Sequence, residues 1–183
     1  MKSVNKANTA IKVIASVITL TVLLGLLASC AADIGGAEDA DLNDIVEALY
    51  KGVEVPAYDI VPLDEENFEY YAFVPYDDSL RAVEADGLVS ISAHSLVVIQ
   101  TDKGNGKELA EDIILNADPN KWLCVGAETV NVAYTDNFVV LVMSDSQTAD
   151  AIVKNFEDWV KGAGEASANV LSSDNSRFED FGV

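Results

Sequence analysis

The sequence predicts an α+β domain over residues 41–162, with a mostly antiparallel four-stranded sheet and helices packed on one face, in the order α-ββ-α-ββ-α. Two observations predict this class. Three segments space their apolar residues as amphipathic helices do, and two pairs of short strand-like runs lie between those segments. Because each strand pair is joined by a short connection, we expect antiparallel pairing.

The first predicted helix is DLNDIVEALYKG. Asp41 stands where an N-cap is expected, and Gly52 stands where helices commonly end in the left-handed conformation. Its apolar residues recur at i, i+3, i+4 and i+7, which predicts one buried face: Leu42, Ile45, Val46 and Leu49.

The following segment, VPLDEENFEYYAFVP, fits two structures. Apolar and aromatic residues alternate from Phe68 to Val74 as in a strand, whereas Asp64 suits a helix N-cap and two glutamates follow it. We favour a short helix closed by Pro75. After the acidic turn YDDS, the runs GLVSI and SLVVIQTD predict the first hairpin, with a break near residues 93–95.

A second amphipathic helix is predicted in KGNGKELAEDIILNADP, with Asn105 as its cap and Pro119 at its end. We expect five of its side chains to point inward: Leu109, Ala110, Ile113, Ile114 and Ala117.

The clearest hairpin is ETVNVAYTDNFVVLVMSD, with Asp136 and Asn137 as its turn. The first strand alternates, so one of its faces should be wet, while the second is apolar throughout and should be central. The last helix, DSQTADAIVKNFEDWVKG, should begin at Asp145 or Ser146 and stop at Gly162. Its buried stripe is Ala149, Ile152, Val153, Phe156 and Val160. Residues 163–183 are small, polar and acidic, and predict a disordered tail.

The N-terminal residues 1–29 fit a signal peptide: three lysines precede an apolar run that is short for a membrane span. The run ends in LASC, which resembles a bacterial lipobox, so we predict cleavage before Cys30 and lipidation of its thiol. Residues 30–40 would form a flexible tether. This predicts a cell-membrane protein held in the lipid bilayer by acylated Cys30 and facing outside the cytoplasm. An uncleaved anchor and plain secretion are the alternatives.

Charge and cysteine content narrow the function classes. The segment 1–29 holds three lysines and no acid, so its removal changes the formal net charge from −20 to −23. A chain this acidic repels nucleic acid, and we expect no nucleic-acid partner. Cys30 and Cys124 are the only cysteines, too few for a disulfide framework, and lipidation would leave Cys124 as a lone thiol.

The order of these segments resembles a family of small bacterial lipoproteins, domain of unknown function 4358, found mainly in Clostridia-like Gram-positive bacteria. The resemblance rests on the lipobox, DIVEALYKGV, LDEENFEYY, LVVIQTDKG and NFVVLVMSD, and spans roughly residues 41–160. It implies an α+β fold and a lipid-anchored location, and it brings no established activity. An acidic residue often precedes the second strand of the family's first hairpin, where this chain has His94 and Ser95.

The sequence contains no catalytic constellation, and we predict no catalytic, metal or cofactor residues. His94 is the only histidine, which excludes metal sites that need two imidazoles. A nucleophile paired with His94 could be Ser92, Ser95 or Cys124. The simpler interpretation is that His94 lies in a turn and that Cys124 is a small buried thiol. DKGNGKE fails the calcium-loop spacing, and the paired acids suit helix caps and solvated faces.

Aromatic residues give the remaining candidates. Tyr70, Tyr71 and Tyr76, together with His94, are candidate ligand-binding residues, and Arg177, Phe178 and Phe181 could form a docking motif in the tail. We therefore expect a non-catalytic lipoprotein that binds an envelope or membrane protein partner. The alternatives are an extracytoplasmic hydrolase of wall or peptide material with His94 near its active centre, and an accessory subunit of a transporter or sensor.

Overall fold

The computed structural model describes residues 40–88, 92–165 and 167–175. The predicted signal peptide, Cys30, almost all of the tether and the tail residues 176–183 lie outside the described residues. Within the described ranges the chain forms four helices and six strands: α1 (Leu42–Tyr50), β1 (Val61–Leu63), α2 (Phe68–Ala72), β2 (Leu80–Glu84), β3 (Ser95–Thr101), α3 (Gly106–Asn116), β4 (Thr129–Tyr134), β5 (Phe138–Ser144), α4 (Ser146–Ala163) and β6 (Asn169–Asp174).

The strands form one antiparallel sheet in the order β1-β2-β3-β5-β4-β6. The α+β class is confirmed, but the sheet has six strands where the sequence predicted four. The central strands β3 and β5 are buried at every residue. They pair in register with Val98 opposite Val140, so the most apolar runs of the sequence form the middle of the sheet.

Three strands lie where none was predicted. β2 pairs with β3, with Val83 opposite Val98, and replaces the GLVSI run as the first strand of this hairpin. Residues 89–91 of that run lie outside the described residues. β1 continues the sheet beyond β2. β6 pairs with β4 along its length, so the prediction of disorder is wrong for residues 169–174.

Helices cover both faces of the sheet, and the prediction of a single covered face is wrong. α1 and α4 share one hydrophobic core with alternate residues of the sheet, such as Leu96 and Val140. α2 and α3 share a second core with the intervening residues, such as Val97 and Leu141. Two-sided cover follows from β3 and β5, which are apolar on both faces.

β4 is likewise covered on both faces, although one of its faces was expected to be wet. Asn131 is only 4% exposed and Ala133 is fully buried. The Asn131 Nδ2 amide donates a hydrogen bond of 3.4 Å to the Asp150 carboxylate of α4. Asn131 therefore lies beneath α4 and is buried with its side-chain amide hydrogen-bonded.

The helix ends agree largely with the predictions. The carboxylate of Asp41 accepts the Asn43 amide at 2.9 Å, and that of Asp145 accepts the Thr148 amide at 2.9 Å. The predicted buried stripes of α1 and α4 are confirmed. α4 runs past Gly162 to Ala163 and ends at Gly164, whose φ is 76°.

The other two helices differ in how they are closed. A short helix is confirmed as α2, but it begins after Asn67 rather than at Asp64, and it closes at Phe73, in the left-handed conformation with φ 61°, rather than at Pro75. Asn105 precedes α3 without making a cap hydrogen bond, because its side-chain oxygen instead accepts the Thr101 hydroxyl at 2.6 Å. In the part of the chain that the structure describes, no helix combines the length and the hydropathy needed to cross a membrane.

Candidate functional site

Two buried polar clusters lie near the end of the sheet where β2 stops and β3 starts, and they belong to opposite faces. The first is centred on His94, which is 2% exposed. Its Nε2 atom lies 2.8 Å from the Tyr50 hydroxyl, and its Nδ1 atom lies 3.1 Å from the Ser144 hydroxyl. These contacts join the start of β3 to α1 and to the end of β5.

The hydrogen bonds of this cluster favour one tautomer of His94. The Tyr50 hydroxyl donates to the Ala85 carbonyl at 2.9 Å, so it accepts from His94 and requires a proton on Nε2. In a neutral ring Nδ1 is then the acceptor, and its donor is the Ser144 hydroxyl at 3.1 Å, for which the Asp145 carboxylate competes at 3.4 Å. Burial lowers the pKa of His94 below its usual range, which favours this neutral ring. His94 is therefore a buried structural residue rather than the turn histidine of the simpler interpretation.

The second cluster is centred on Lys121, in the connection between α3 and β4. Its Nζ atom lies 3.0 Å from Asp86 Oδ2 and 2.9 Å from Ser95 Oγ, and its side chain is only 5% exposed. The ammonium group also lies near three aromatic rings, with distances to the ring centroids of 5.8, 5.0 and 5.0 Å for Tyr70, Tyr71 and Trp122. One cation thus links strand, loop and aromatic side chains.

In the Lys121 cluster, burial and the neighbouring carboxylates act on the pKa of the lysine in opposite directions. Burial lowers the pKa of Lys121, whereas the adjacent Asp86 carboxylate raises it. Burial also raises the pKa of Glu84, whose Oε2 atom accepts the Asp86 amide at 2.7 Å. Asp86 Oδ1 is buried without a hydrogen-bond partner among the described residues. The lysine therefore provides the positive charge that allows two carboxylates to lie at this position.

The contact between Ser95 and Lys121 joins residue types that some hydrolases use as nucleophile and base. Here Ser95 is fully buried, and the Lys121 ammonium donates to its hydroxyl while paired with Asp86. A nucleophile must reach its substrate and lose its proton, and neither condition is met. His94 lies with the other cluster, and Cys124, expected to be a buried thiol, is exposed.

The predicted ligand-binding residues separate into three places. Tyr70 and Tyr71 come together in a T-shaped contact at 4.9 Å, next to Lys121. Tyr76 packs against Phe68 instead, with 5.7 Å between ring centroids. His94 lies in its own buried cluster. Arg177, Phe178 and Phe181 lie outside the described residues.

Tyr70 is the accessible part of this group, because 62% of its surface is exposed. It follows a turn and a first helical turn that carry exposed carboxylates. Leu123, two residues after Lys121, is also fully exposed. We call this region the acidic aromatic surface; it comprises Asp64, Glu65, Glu66, Glu69, Tyr70 and Leu123.

Lys121 and Asp86 were not predicted from the sequence. A lysine in the apolar run KWLCVG was the one local signal, and its partner lies 35 positions away. Over residues 40–88, 92–165 and 167–175, no three histidine, cysteine, aspartate or glutamate side chains gather as a metal site.

Comparisons with protein-family models, with curated proteins and with solved structures return no match for this chain. The resemblance to domain of unknown function 4358 stays a prediction from the sequence.

Proposed function

We propose that this chain is a lipid-anchored protein of the cell envelope that binds a partner protein without catalysis, through the acidic aromatic surface. The anchor is Cys30, on the strength of the LASC motif at the end of the apolar run. The observation that carries the binding role is the exposure of Tyr70, which lies beside a buried cation and among exposed carboxylates.

The structure supports a rigid binding surface. The Tyr70 ring packs on Tyr71, and Lys121 lies near both rings while it is held by Asp86 and Ser95. Aromatic side chains that are already ordered lose little entropy on binding, which is why tyrosine is common at interfaces.

The charge of this surface indicates the chemistry of the partner. Lys121 is too deeply buried to present a positive charge, so the surface exposes carboxylates and an aromatic ring. Lysine and arginine side chains complement both groups, through ion pairs and cation–π contacts. We therefore expect a basic segment of an envelope or membrane protein.

The hydrolase alternative has no comparable support. Its named residue, His94, is 2% exposed and uses both ring nitrogens for hydrogen bonds. Ser95 is fully buried as well.

Mass spectrometry of the mature N-terminus tests the anchor. We expect residue 30 to be the first residue and to carry diacylglycerol. An intact Met1, or an unmodified first residue other than Cys30, would contradict the anchored location while leaving the binding role to be tested separately.

Site-directed photo-crosslinking in membranes tests the binding surface. A photoreactive amino acid replaces Tyr70 in the full lipidated chain, and a matched control replaces Val170 of β6, which is 39% exposed. We expect one discrete adduct at Tyr70, absent at Val170, in which the crosslinked partner peptide is rich in lysine or arginine. Equal adducts at both positions, or an acidic partner peptide, would refute the proposal.

A further inference from the structure

We propose a second ligand site, separate from the acidic aromatic surface: a cleft around Arg81 that binds a free α-amino acid as a zwitterion. The cleft has a volume of about 390 Å³ and lies where β2 begins, β3 ends and the β4–β5 turn approaches. Its lining is almost wholly polar or charged: Asp78, Ser79, Arg81, Gln100, Thr101, Asp102 and Asn137.

Arg81 is the cation of this cleft. It lies directly opposite Gln100 in the β2–β3 pair, and its Nη1 atom donates to Gln100 Oε1 at 2.8 Å. A guanidinium group has five N–H donors in a planar fork. No carboxylate of the described chain lies within ion-pair distance of Arg81, in a protein with 31 acidic residues. The remaining donors are therefore available to a ligand carboxylate.

The same cleft contains two carboxylates that could hold an ammonium group. Asp78 and Asp102 line it, and neither pairs with a lysine or arginine among the described residues. The adjacent Asp77 differs, because it accepts Lys103 Nζ at 2.9 Å and the Ser79 hydroxyl at 2.6 Å. A guanidinium with unused donors and two carboxylates that form no ion pair among the described residues match a ligand that carries both charges.

The lining disfavours other ligand classes. Among the described residues no aromatic side chain lines the cleft, so those residues offer a sugar ring no stacking surface. Phosphate would be repelled by Asp78 and Asp102. A metal ion is disfavoured because the cleft offers two carboxylates and a cation. The volume lies near the lower end of the range for small-molecule sites, roughly 300–1,000 Å³, which suits an amino acid.

Isothermal titration of the full chain in detergent micelles with the common free amino acids tests the site. We expect at least one to bind, and its N-acetyl and carboxamide derivatives to bind roughly tenfold more weakly or worse, since each lacks one charged hydrogen-bonding group. Arg81→Gln should weaken binding to a similar extent. Lys103→Gln, which alters a neighbouring cation outside the lining, should leave affinity unchanged.

Several outcomes would overturn the proposal: no free amino acid binds, Arg81→Gln binds as the wild type does, or the N-acetyl derivative binds equally well. Arg81 is exposed, so we expect Arg81→Gln to keep the wild-type melting temperature. If it does not, the derivative series on the wild-type chain decides alone. Because the Arg81 cleft and the acidic aromatic surface lie at opposite ends of β2, crosslinking at Tyr70 and titration at Arg81 can fail independently.

Discussion

Lys121→Met should destabilise the domain strongly, although the substitution keeps a long side chain among the aromatic rings. The wild-type ammonium pairs with Asp86 at 3.0 Å and donates to Ser95 at 2.9 Å, with only 5% of the lysine side chain exposed. Methionine preserves most of the packing against Tyr71 and Trp122 and removes the charge together with its hydrogen bonds to Asp86 and Ser95. The Asp86 carboxylate is then left partly buried without its cation.

Breaking one partner of a buried ion pair costs about 3–5 kcal/mol. Asp86 is 21% exposed at its side chain, and water can partly replace the lysine, so we expect the lower end, about 3 kcal/mol. With a urea m-value of roughly 2 kcal/mol per M, the unfolding midpoint should fall by roughly 1.5 M. Far-ultraviolet circular dichroism is the suitable signal, because Trp122 fluorescence would respond to the substitution itself.

Two further variants identify the cause. Lys103→Met removes the cation of an ion pair whose side chains are each 51% exposed, and it should shift the midpoint far less. The double variant Lys121→Met/Asp86→Leu should recover part of the loss, because only Glu84 then remains without the lysine charge. A Lys121→Met midpoint equal to that of Lys103→Met would refute the reasoning, as would a double variant less stable than either single variant.

Three other predictions concern stability. Burial lowers the pKa of His94, so the contribution of the neutral ring to stability is present above the unfolded pKa of 6.5 and is lost as the pH falls. His94→Gln should therefore flatten the dependence of the urea midpoint on pH between about pH 7.5 and about pH 5.5, where one proton gives at most about 1.4 kcal/mol per pH unit. An unchanged slope would contradict this. Gly106→Ala should lower the free energy of unfolding by about 1–3 kcal/mol, because the new Cβ would meet the Thr135 carbonyl oxygen. Gly162→Ala has open space around its Cβ and should be neutral or stabilising in thermal melts. Similar melting temperatures for the two variants would contradict this. Amides of residues 169–174 that pair with β4 should be protected from hydrogen exchange; exchange at the rate of an unfolded peptide would contradict the assignment of β6.

Elements whose signals are local could be predicted from the sequence. α1 and α4 each combine an acidic N-cap with a regular apolar stripe, and these features lie within the helix itself. β5 is apolar at nearly every position, which requires burial on both faces. The same fact implied helices on both faces of the sheet, and the alternation of β4 obscured it because Asn131 is buried under α4.

The edge strands depend on distant partners and were missed. β6 has the sequence NVLSSD, in which four of six residues are polar, and it is a strand because β4 pairs with it along its whole length. β2 contains Arg81 and Glu84, and the buried Glu84 carboxyl lies near the positive charge of Lys121, which comes from a distant part of the chain. Such pairings join residues far apart in the chain, and no local pattern encodes them.

The candidate site was predicted only in part. Tyr70 and Tyr71 were selected as aromatic residues, and the structure places them together beside Lys121. Tyr76 is the same residue type, but it packs against Phe68, because side chains on a helix and in the bend after it point in different directions. His94 was predicted from its chemistry alone, whereas its burial depends on Tyr50 and Ser144, which lie far away in the chain and contact its two ring nitrogens.

Charge reversal at the acidic aromatic surface, read by crosslinking from position 70, tests the central claim most directly. The combined variant Glu65→Lys/Glu66→Lys/Glu69→Lys should abolish the adduct with the basic partner segment, because like charges would then face each other. The matched control is Glu108→Lys/Glu111→Lys/Asp112→Lys, which changes the net charge equally through exposed residues of α3. We predict loss of the adduct in the first variant and retention in the second; retention in both, or equal loss in both, would contradict binding through this surface.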